Sequence, residues 1–283
     1  VSRIFPKKWL GQHFLTNPNI ALSMSSLVRT PGAVVLEVGA GTGNLTTKLL
    51  LNENISRVIA IDIDKDSIEY ASNQFRDHIN RGKLELLEID GLQLKIQDLA
   101  DRYGQKITII SNLPYHIGAS MVMNWINELD SIEQIVVMLQ EEVVDRFIAS
   151  PGSKKYGRIS ILIQIMCHVE KIMRIKPENF YPIPLVNSAI IEILPKASRI
   201  SIESYGVIDA LCEIGFLHRR KTLLNCLKAC VEISTNDIDA IFPSILDRNI
   251  RIEALDISKI FQIAHVLHDI LMKYILDKGK RCE

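Results

Sequence analysis

The stretch Val34-Val35-Leu36-Glu37-Val38-Gly39-Ala40-Gly41-Thr42-Gly43-Asn44 decides the fold. A nearly continuous apolar, β-branched run is what a strand buried on both faces requires. It passes into a glycine loop and then into the helical run Leu45 to Leu51, so the chain turns tightly at the end of a strand and re-enters as a helix. Working outward, further short runs bounded by turn residues predict strands at Arg57–Asp62, Leu84–Ile89, Lys106–Ser111, Ile132–Leu139, Glu170–Ile175 and Ser188–Leu194, with helical patterns between the earlier ones. That alternation implies a parallel sheet covered by helices, an α/β fold of Rossmann-like type. Lys176 to Asn187 carries Pro177, Pro182 and Pro184 and reads as a stiff loop without regular pairing. After Pro195 the apolar spacing changes to three and four, as in Ile260, Ile263, Ala264 and Leu267. The expected division is therefore 1–195 for the sheet domain and 196–283 for a small helical domain.

Composition narrows the class. The 283 residues, 47% hydrophobic and 23% charged, can bury a sizeable core without staples. Lys and Arg together number 33 and Asp and Glu 33, so net charge supplies no field that draws in nucleic acid or a membrane, and any such attraction must be local. Five cysteines without a CxxC pair argue against a disulfide framework or a zinc site. Residues 1–15 lack the apolar core of a signal peptide, and no run reaches the length of a membrane span. The expectation is a reduced, cytoplasmic protein. The first residue is Val rather than Met.

The glycine loop and the carboxylates beyond it point to a nucleoside. Asp62 ends the next strand, about 20 residues on, where a carboxylate can accept both hydroxyls of a ribose. A dinucleotide fingerprint would need glycine where Asn44 stands. The form Glu37-x-Gly39-x-Gly41-x-Gly43 suits S-adenosylmethionine instead, which has no pyrophosphate to seat on a helix N-terminus. Asp90-Gly91, after the third strand, would place a second carboxylate near an adenine amino group; by itself such a pair is also an ordinary turn.

The fourth strand runs straight into Ser111-Asn112-Leu113-Pro114-Tyr115, at the carboxyl edge of the sheet. An exocyclic adenine amine is a poor nucleophile, because its lone pair is delocalised into the ring. The Asn112 side-chain oxygen and the Leu113 carbonyl can accept its two N–H bonds and favour a nitrogen whose lone pair faces a sulfonium methyl. Pro114 keeps those acceptors aimed. Tyr115 offers a ring for a base that has left its RNA stack, an interaction of about 1–3 kcal/mol.

With these motifs in hand, the sequence resembles the small-subunit ribosomal RNA adenine dimethyltransferase family. The resemblance rests on Gly11-Gln12-His13-Phe14-Leu15, Glu37 to Thr46, Asp62-Ile63-Asp64, Asp90-Gly91, Asn112 to Tyr115, Leu139 to Val144, Tyr156-Gly157-Arg158, Phe180 to Pro184, Val186 to Ala189 and Arg219 to Leu223. It implies a class I methyltransferase domain and dimethylation of N6 on two adjacent adenines near the 3′ end of 16S-type RNA, within a pre-ribosomal particle. It further implies S-adenosylmethionine contacts from Gln12, His13, Leu15, Gly39, Gly41, Asp62, Ile63, Asp90, Gly91 and Asn112. The target adenine would be held by Asn112, Leu113, Pro114, Tyr115 and Phe180, the last as a second aromatic face. The family often carries Asn at the place of His13, Glu at that of Asp62, and Lys and Asp at those of Leu185 and Asn187.

A neutral protein that binds RNA needs local phosphate contacts, and Lys7-Lys8, Lys154-Lys155 with Arg158, and Arg219-Arg220-Lys221 are the candidates. His265 and His268 lack a third ligand, so no metal is expected. Cys226 and Cys230 read as buried thiols. Nothing demands more than a monomer. Two other readings stand beside this one: a large-subunit RNA methyltransferase of the macrolide-resistance type, and a noncatalytic ribosome-assembly factor that kept the fold.

Overall fold

The computed structural model describes residues 5–242 and 246–279. The chain falls into two compact units, Val1–Val144 with His168–Pro195, and Asp145–Cys167 with Lys196–Glu283. The sequence-based division at residue 195 differs from this in one segment, 145–167. Its helix Arg158–Met166 buries Ile161, Leu162 and Ile163 and belongs with the helical unit.

The first unit is built on strands β1 (Phe14–Leu15), β2 (Ala33–Val38), β3 (Ile55–Asp62), β4 (Leu84–Glu88), β5 (Ile107–Asn112), β6 (Ile132–Gln140), β7 (Cys167–Ile175), β8 (Phe180–Tyr181) and β9 (Ser188–Pro195). Seven of them form one mixed sheet in the order β4-β3-β2-β5-β6-β9-β7. The pairs β2–β3, β3–β4, β2–β5 and β5–β6 are parallel, and β6–β9 is antiparallel. The continuous apolar runs behave as expected: β2 is buried at all six positions, and Ile109, Ile110, Val136 and Val137 are inaccessible. Each such side chain contributes about 1.5–3 kcal/mol of apolar burial.

The chain winds from β2 through β3 to β4 in one direction and resumes from β5 to β6 in the other. The strand order therefore reverses between β2 and β5, and a crevice opens beyond their carboxyl ends. Gly39 leaves one strand there and Asn112 the other.

The stiff loop between β7 and β9 is not wholly unpaired, as its prolines had suggested. Phe180 and Tyr181 form β8 and pair antiparallel with Leu15 and Phe14. Pro177, Pro182 and Pro184 flank this pair without occupying it, so two residues keep the N–H groups a ladder needs.

In the second unit, helices Ile202–Leu217, Leu223–Cys230, Thr235–Ile241 and Ile257–Val266 are each opened by a side-chain cap, from Ser201, Thr222, Ser234 and Asp256. Gly215 sits where a Cβ would fall 2.3 Å from Ile252 Cδ1, so the close approach of that segment requires glycine. Buried Tyr156 donates its hydroxyl to the Leu255 carbonyl at 2.9 Å. The helical domain expected for Ile200 to Cys282 is thus present within the described residues; Cys282 lies outside them.

Candidate active site

A cleft of about 320 Å³ occupies the switch point, within the range usual for small-molecule sites. Of the residues implied by sequence, Gln12, His13, Gly39, Gly41, Asp62, Ile63, Asp90, Gly91, Asn112, Leu113, Pro114 and Tyr115 line it. Leu15 and Phe180 do not. They pair with each other across β1 and β8, are 5% and 2% exposed, and sit in the hydrophobic core. They stand outside the lining, with Leu15 directly following His13 and Phe14, which reach the cleft.

Glycine is required where backbone and ligand space meet. Gly41 has φ +49°, and a Cβ on it would come within 3.0 Å of the Phe14 ring; a Cβ on Gly91 would lie 2.8 Å from Val38 and 2.9 Å from Met121. Next to this floor lies Asp62, 7% exposed, with one carboxylate oxygen accepting the Gly41 N–H at 3.0 Å and the other the Asp64 N–H at 2.9 Å. Burial raises its pKa, and the two backbone bonds work against that rise. Each oxygen keeps a further lone pair. Asp90 closes a turn, accepting the Leu92 N–H at 2.9 Å, and both Asp90 and Gly91 line the cleft.

The N-terminal segment is strapped over one side. Lys7 Nζ pairs with Asp64 at 2.5 Å and with Asp66 at 2.7 Å. Gln12 donates its amide to Asp64 at 3.1 Å and accepts the Lys7 N–H at 2.8 Å. Burial would push the Asp64 carboxyl up, but the bonds from Lys7 and Gln12 outweigh it and hold the group below its ordinary range. Gln12 therefore lines the cleft while its side chain holds the strap.

The strap delivers His13. Its Nδ1 lies 2.7 Å from the Pro182 carbonyl oxygen, which can only accept, so Nδ1 carries the proton. The imidazole stacks on Tyr115, with ring centroids 5.1 Å apart and planes 25° from parallel, and the Tyr115 hydroxyl meets Ser188 Oγ at 2.6 Å. One side of the Tyr115 ring is thus taken by His13. The His13 carbonyl accepts the Asn112 side-chain amide at 3.0 Å. Only the NH₂ end of that amide can make this bond, which sets Asn112 Oδ1 as the opposite, accepting end. Behind the segment, a Cβ on Gly118 would be 2.4 Å from Leu139 and 3.3 Å from Leu113 Cβ, so the following helix packs directly against it.

The sequence reading missed Trp9, Leu92 and His116 in the lining, and Asp64, Pro182 and Ser188 as the partners that orient it. Asp64, Pro182 and Ser188 all lie in stretches that carry the resemblance, but nothing beside them marks which side chain each one orients. Among the described residues, the lining holds two carboxylates, Asp62 and Asp90, and no Lys or Arg. Such a site favours a cation over a pyrophosphate.

Glu37, of the glycine motif, is 1% exposed and accepts the Thr46 hydroxyl at 2.7 Å. Burial pushes its pKa up to about 8, with the Thr46 bond opposing and Asp62 reinforcing the rise. The unfolded glutamate titrates near 4.5. Between these values the folded state keeps a proton that the unfolded chain loses, so stability falls as pH rises through that window and levels off above it. Glu37→Gln is expected to be more stable than the parent by about 3 kcal/mol near neutral pH, with the difference closing towards about pH 4.5. Urea melts at about pH 5 and about pH 7.5 check this; a difference that does not change with pH would count against it.

The basic clusters are less free than their sequence suggests. In the helical unit, Arg158 forms a two-bond pair with Asp209, Lys155 pairs with Asp145 at 2.6 Å, and Arg219 pairs with Glu253. Arg219 also donates to the Lys154 and Ser153 carbonyls at 2.9 and 3.1 Å, which ties the loop at Lys154 to the turn at Arg220-Lys221. Lys7 is committed to the strap, and the Lys8 side chain lies outside what is described. Among the described residues, no group of three His, Cys, Asp or Glu is placed to hold a metal, and no helix is long and apolar enough to cross a membrane.

Comparison with known proteins identifies the family. A ribosomal RNA small subunit methyltransferase A of Francisella tularensis subsp. novicida is 35% identical over 264 residues, covering 92% of this chain and 97% of that one. The protein of the same description from Baumannia cicadellinicola subsp. Homalodisca coagulata is 30% identical over 253 residues, 87% and 90% of the two chains. The crystal structure of a dimethyladenosine transferase from Plasmodium falciparum superposes with a TM-score of 0.74 at 26% identity, over 91% of this chain and 98% of that one. A 23S rRNA methyltransferase, ErmE, reaches 0.68 at 17% identity over 90% and 99%, which speaks for the shared fold alone. The family model for ribosomal RNA adenine dimethylase matches residues 6–269, nearly the whole of the sequence. By that match and those relatives, the chain belongs to the ribosomal RNA adenine dimethylase family.

Proposed function

We propose that the chain transfers methyl groups from S-adenosylmethionine to N6 of two adjacent adenosines near the 3′ end of small-subunit ribosomal RNA, giving N6,N6-dimethyladenosine in an assembling particle in the cytoplasm. The observation that carries this reading is the Asn112 amide, pinned by the His13 carbonyl with its oxygen end left to accept, at the mouth of a cationophilic switch-point cleft.

The cofactor fits the residues present. Asp62 and Asp90 supply ribose and base acceptors, exposed Ile63 and Leu92 supply apolar faces, and Gly39 and Gly41 leave the backbone open to close approach. When bound, it supplies a methyl group on positively charged sulfur. The chain does the positioning. Asn112 Oδ1 and the Leu113 carbonyl accept the N6 hydrogens of the target adenine, and Tyr115, held by Ser188, supports the base. In the second round N6 has one hydrogen left, so one of the two acceptors suffices, and the other position must admit the first methyl. The transferred proton leaves for water, since Asn112 is an acceptor and not a base. Orientation and electrostatics carry the rate.

RNA docking falls to local cations on a neutral protein, with Lys154, Arg220 and Lys221 as phosphate contacts on the helical unit. A single chain carries the whole site, and the enzyme acts as a monomer. The test is transfer of labelled methyl from S-adenosylmethionine to unmethylated small subunits, with nucleoside analysis of the RNA. Dimethyladenosine at the adjacent pair is expected. Cofactor binding without transfer to these particles would reject the substrate, and absence of cofactor binding would reject the reaction.

A further inference from the structure

The loop that follows β8 is apolar, rigid and exposed. Residues 180–189 contain no charged side chain. Leu185 is fully exposed at 102%, Ile183 is 66% exposed, and Val186 is 45% exposed, while Pro184 between them is buried. Water around three large aliphatic groups at one loop tip is unfavourable, and such a cluster marks a surface that meets something. The tip is held at both ends by groups of the active site itself. Before it, the Pro182 carbonyl accepts from His13 Nδ1 at 2.7 Å, and the Asn179 carbonyl accepts the Thr16 N–H at 2.8 Å. After it, the Asn187 carbonyl accepts the Glu141 N–H at 2.9 Å, and Ser188 Oγ meets the Tyr115 hydroxyl at 2.6 Å. Glu141 is itself fixed by Lys171 and Arg174, each at 2.9 Å.

This anchoring says what meets the tip. Three peptide steps lead from Leu185 to Ser188, so the two Cα atoms are at most about 10–11 Å apart. An RNA strand advances by a few ångströms per stacked base, so with an adenine held at Tyr115 the neighbouring nucleotides reach the tip within about three steps. Drawing an adenine out of its stack leaves a gap between its neighbours. Aliphatic side chains are what nucleic-acid-bending proteins insert into such gaps, because they replace lost stacking without asking for hydrogen bonds. We propose that Leu185, with Ile183 and Val186 beside it, is an apolar wedge that enters the base stack of the substrate RNA next to the extruded adenine and holds the stack open. Leu185 is thereby a positioning residue for RNA. The inference rests on the adenine-methyltransferase reading above.

The test uses the full chain and small-subunit particles. Leu185→Ala is expected to lower kcat/KM for particles about tenfold, through KM, and Leu185→Met to restore it to within about threefold. S-adenosylmethionine affinity and melting temperature should not move, because the side chain touches only solvent in the free protein. In particles carrying 2-aminopurine at one of the two target positions, the parent protein should raise its fluorescence as the base unstacks, and Leu185→Ala should raise it less at saturating protein. Transfer by the parent is measured first in the same assay: its absence rejects the methyltransferase reading and the wedge with it. Transfer by the parent with an unchanged kcat/KM in Leu185→Ala rejects the wedge alone. A lowered kcat/KM with an undiminished 2-aminopurine response assigns the tip to a protein of the particle and also overturns the wedge.

Discussion

Asn112→Ala is expected to lower methyl transfer to small-subunit particles by about 10²–10³-fold in kcat, the loss typical of removing one preorganised group aimed at the reacting centre. The side chain does two things. Its amide binds the His13 carbonyl at 3.0 Å, and that bond turns its oxygen into the accepting end. Alanine removes both, so the target N6 loses an acceptor and the strap loses a tie. Asn112→Asp separates the two effects. A carboxylate still accepts, but it cannot donate to the His13 carbonyl and faces it with like partial charge. Its kcat should therefore also fall. RNA affinity, carried by cations elsewhere, should stay within about threefold in both variants, measured by filter binding at fixed salt. Asn112→Ala that turns over like the parent would remove the mechanism.

Asp62→Ala is expected to weaken S-adenosylmethionine binding by more than about 100-fold. The carboxylate holds the Gly41 N–H at 3.0 Å and the Asp64 N–H at 2.9 Å, so it shapes the glycine loop as well as offering lone pairs to a ribose. Hydrogen bonds to a charged group contribute about 1.5–3 kcal/mol each, and two buried N–H groups would be left without an acceptor. Asp62→Asn should behave more like Ala than like the parent. Its amide can accept at one end only, and its NH₂ would face a backbone N–H at the other. Isothermal titration of cofactor into the three proteins decides this; an Asn variant within about threefold of the parent would show that the carboxylate does not organise the loop.

These two residues also show how much could be read before the fold was known. Asp62 and Asn112 stand at the ends of strands whose apolar, β-branched character marks them in one dimension, and each strand end is followed by a turn that local chemistry specifies. The parallel strands β2 to β6, the glycine loop and the placement of both groups at their carboxyl edge follow from that local record, whereas the antiparallel β9 that makes the sheet mixed does not. The strand boundaries needed little revision, since β2 at Ala33–Val38 and β3 at Ile55–Asp62 extend the expected runs by one or two residues. Leu15 and Phe180, which the resemblance assigns to ligand contact, owe their place to tertiary pairing. Their side chains pack in the core because β1 and β8 pair with each other, a contact between residues 14–15 and 180–181 that no local pattern announces.

Basic residues show the same limit. Arg158 and Arg219 look available in sequence, but Asp209 and Glu253, distant along the chain, take their charge. An ion pair is a property of two places in space, and a run of cations records only one of them.

By itself, then, the sequence determined the α/β class, the glycine loop and the Asn-Leu-Pro-Tyr segment at strand ends, and the family, because strand burial and turn chemistry are written in neighbouring residues, whereas the strand order that makes a switch point between β2 and β5 came from the tertiary structure. Only the tertiary structure decided that Asn112 presents its oxygen, that His13 carries its proton on Nδ1 and covers one face of Tyr115, and that Leu185 stands exposed on a loop tied to the site. Each of these depends on a hydrogen bond or a ring contact between residues far apart in the chain, and the partner that orients a side chain leaves no mark on the residues beside it.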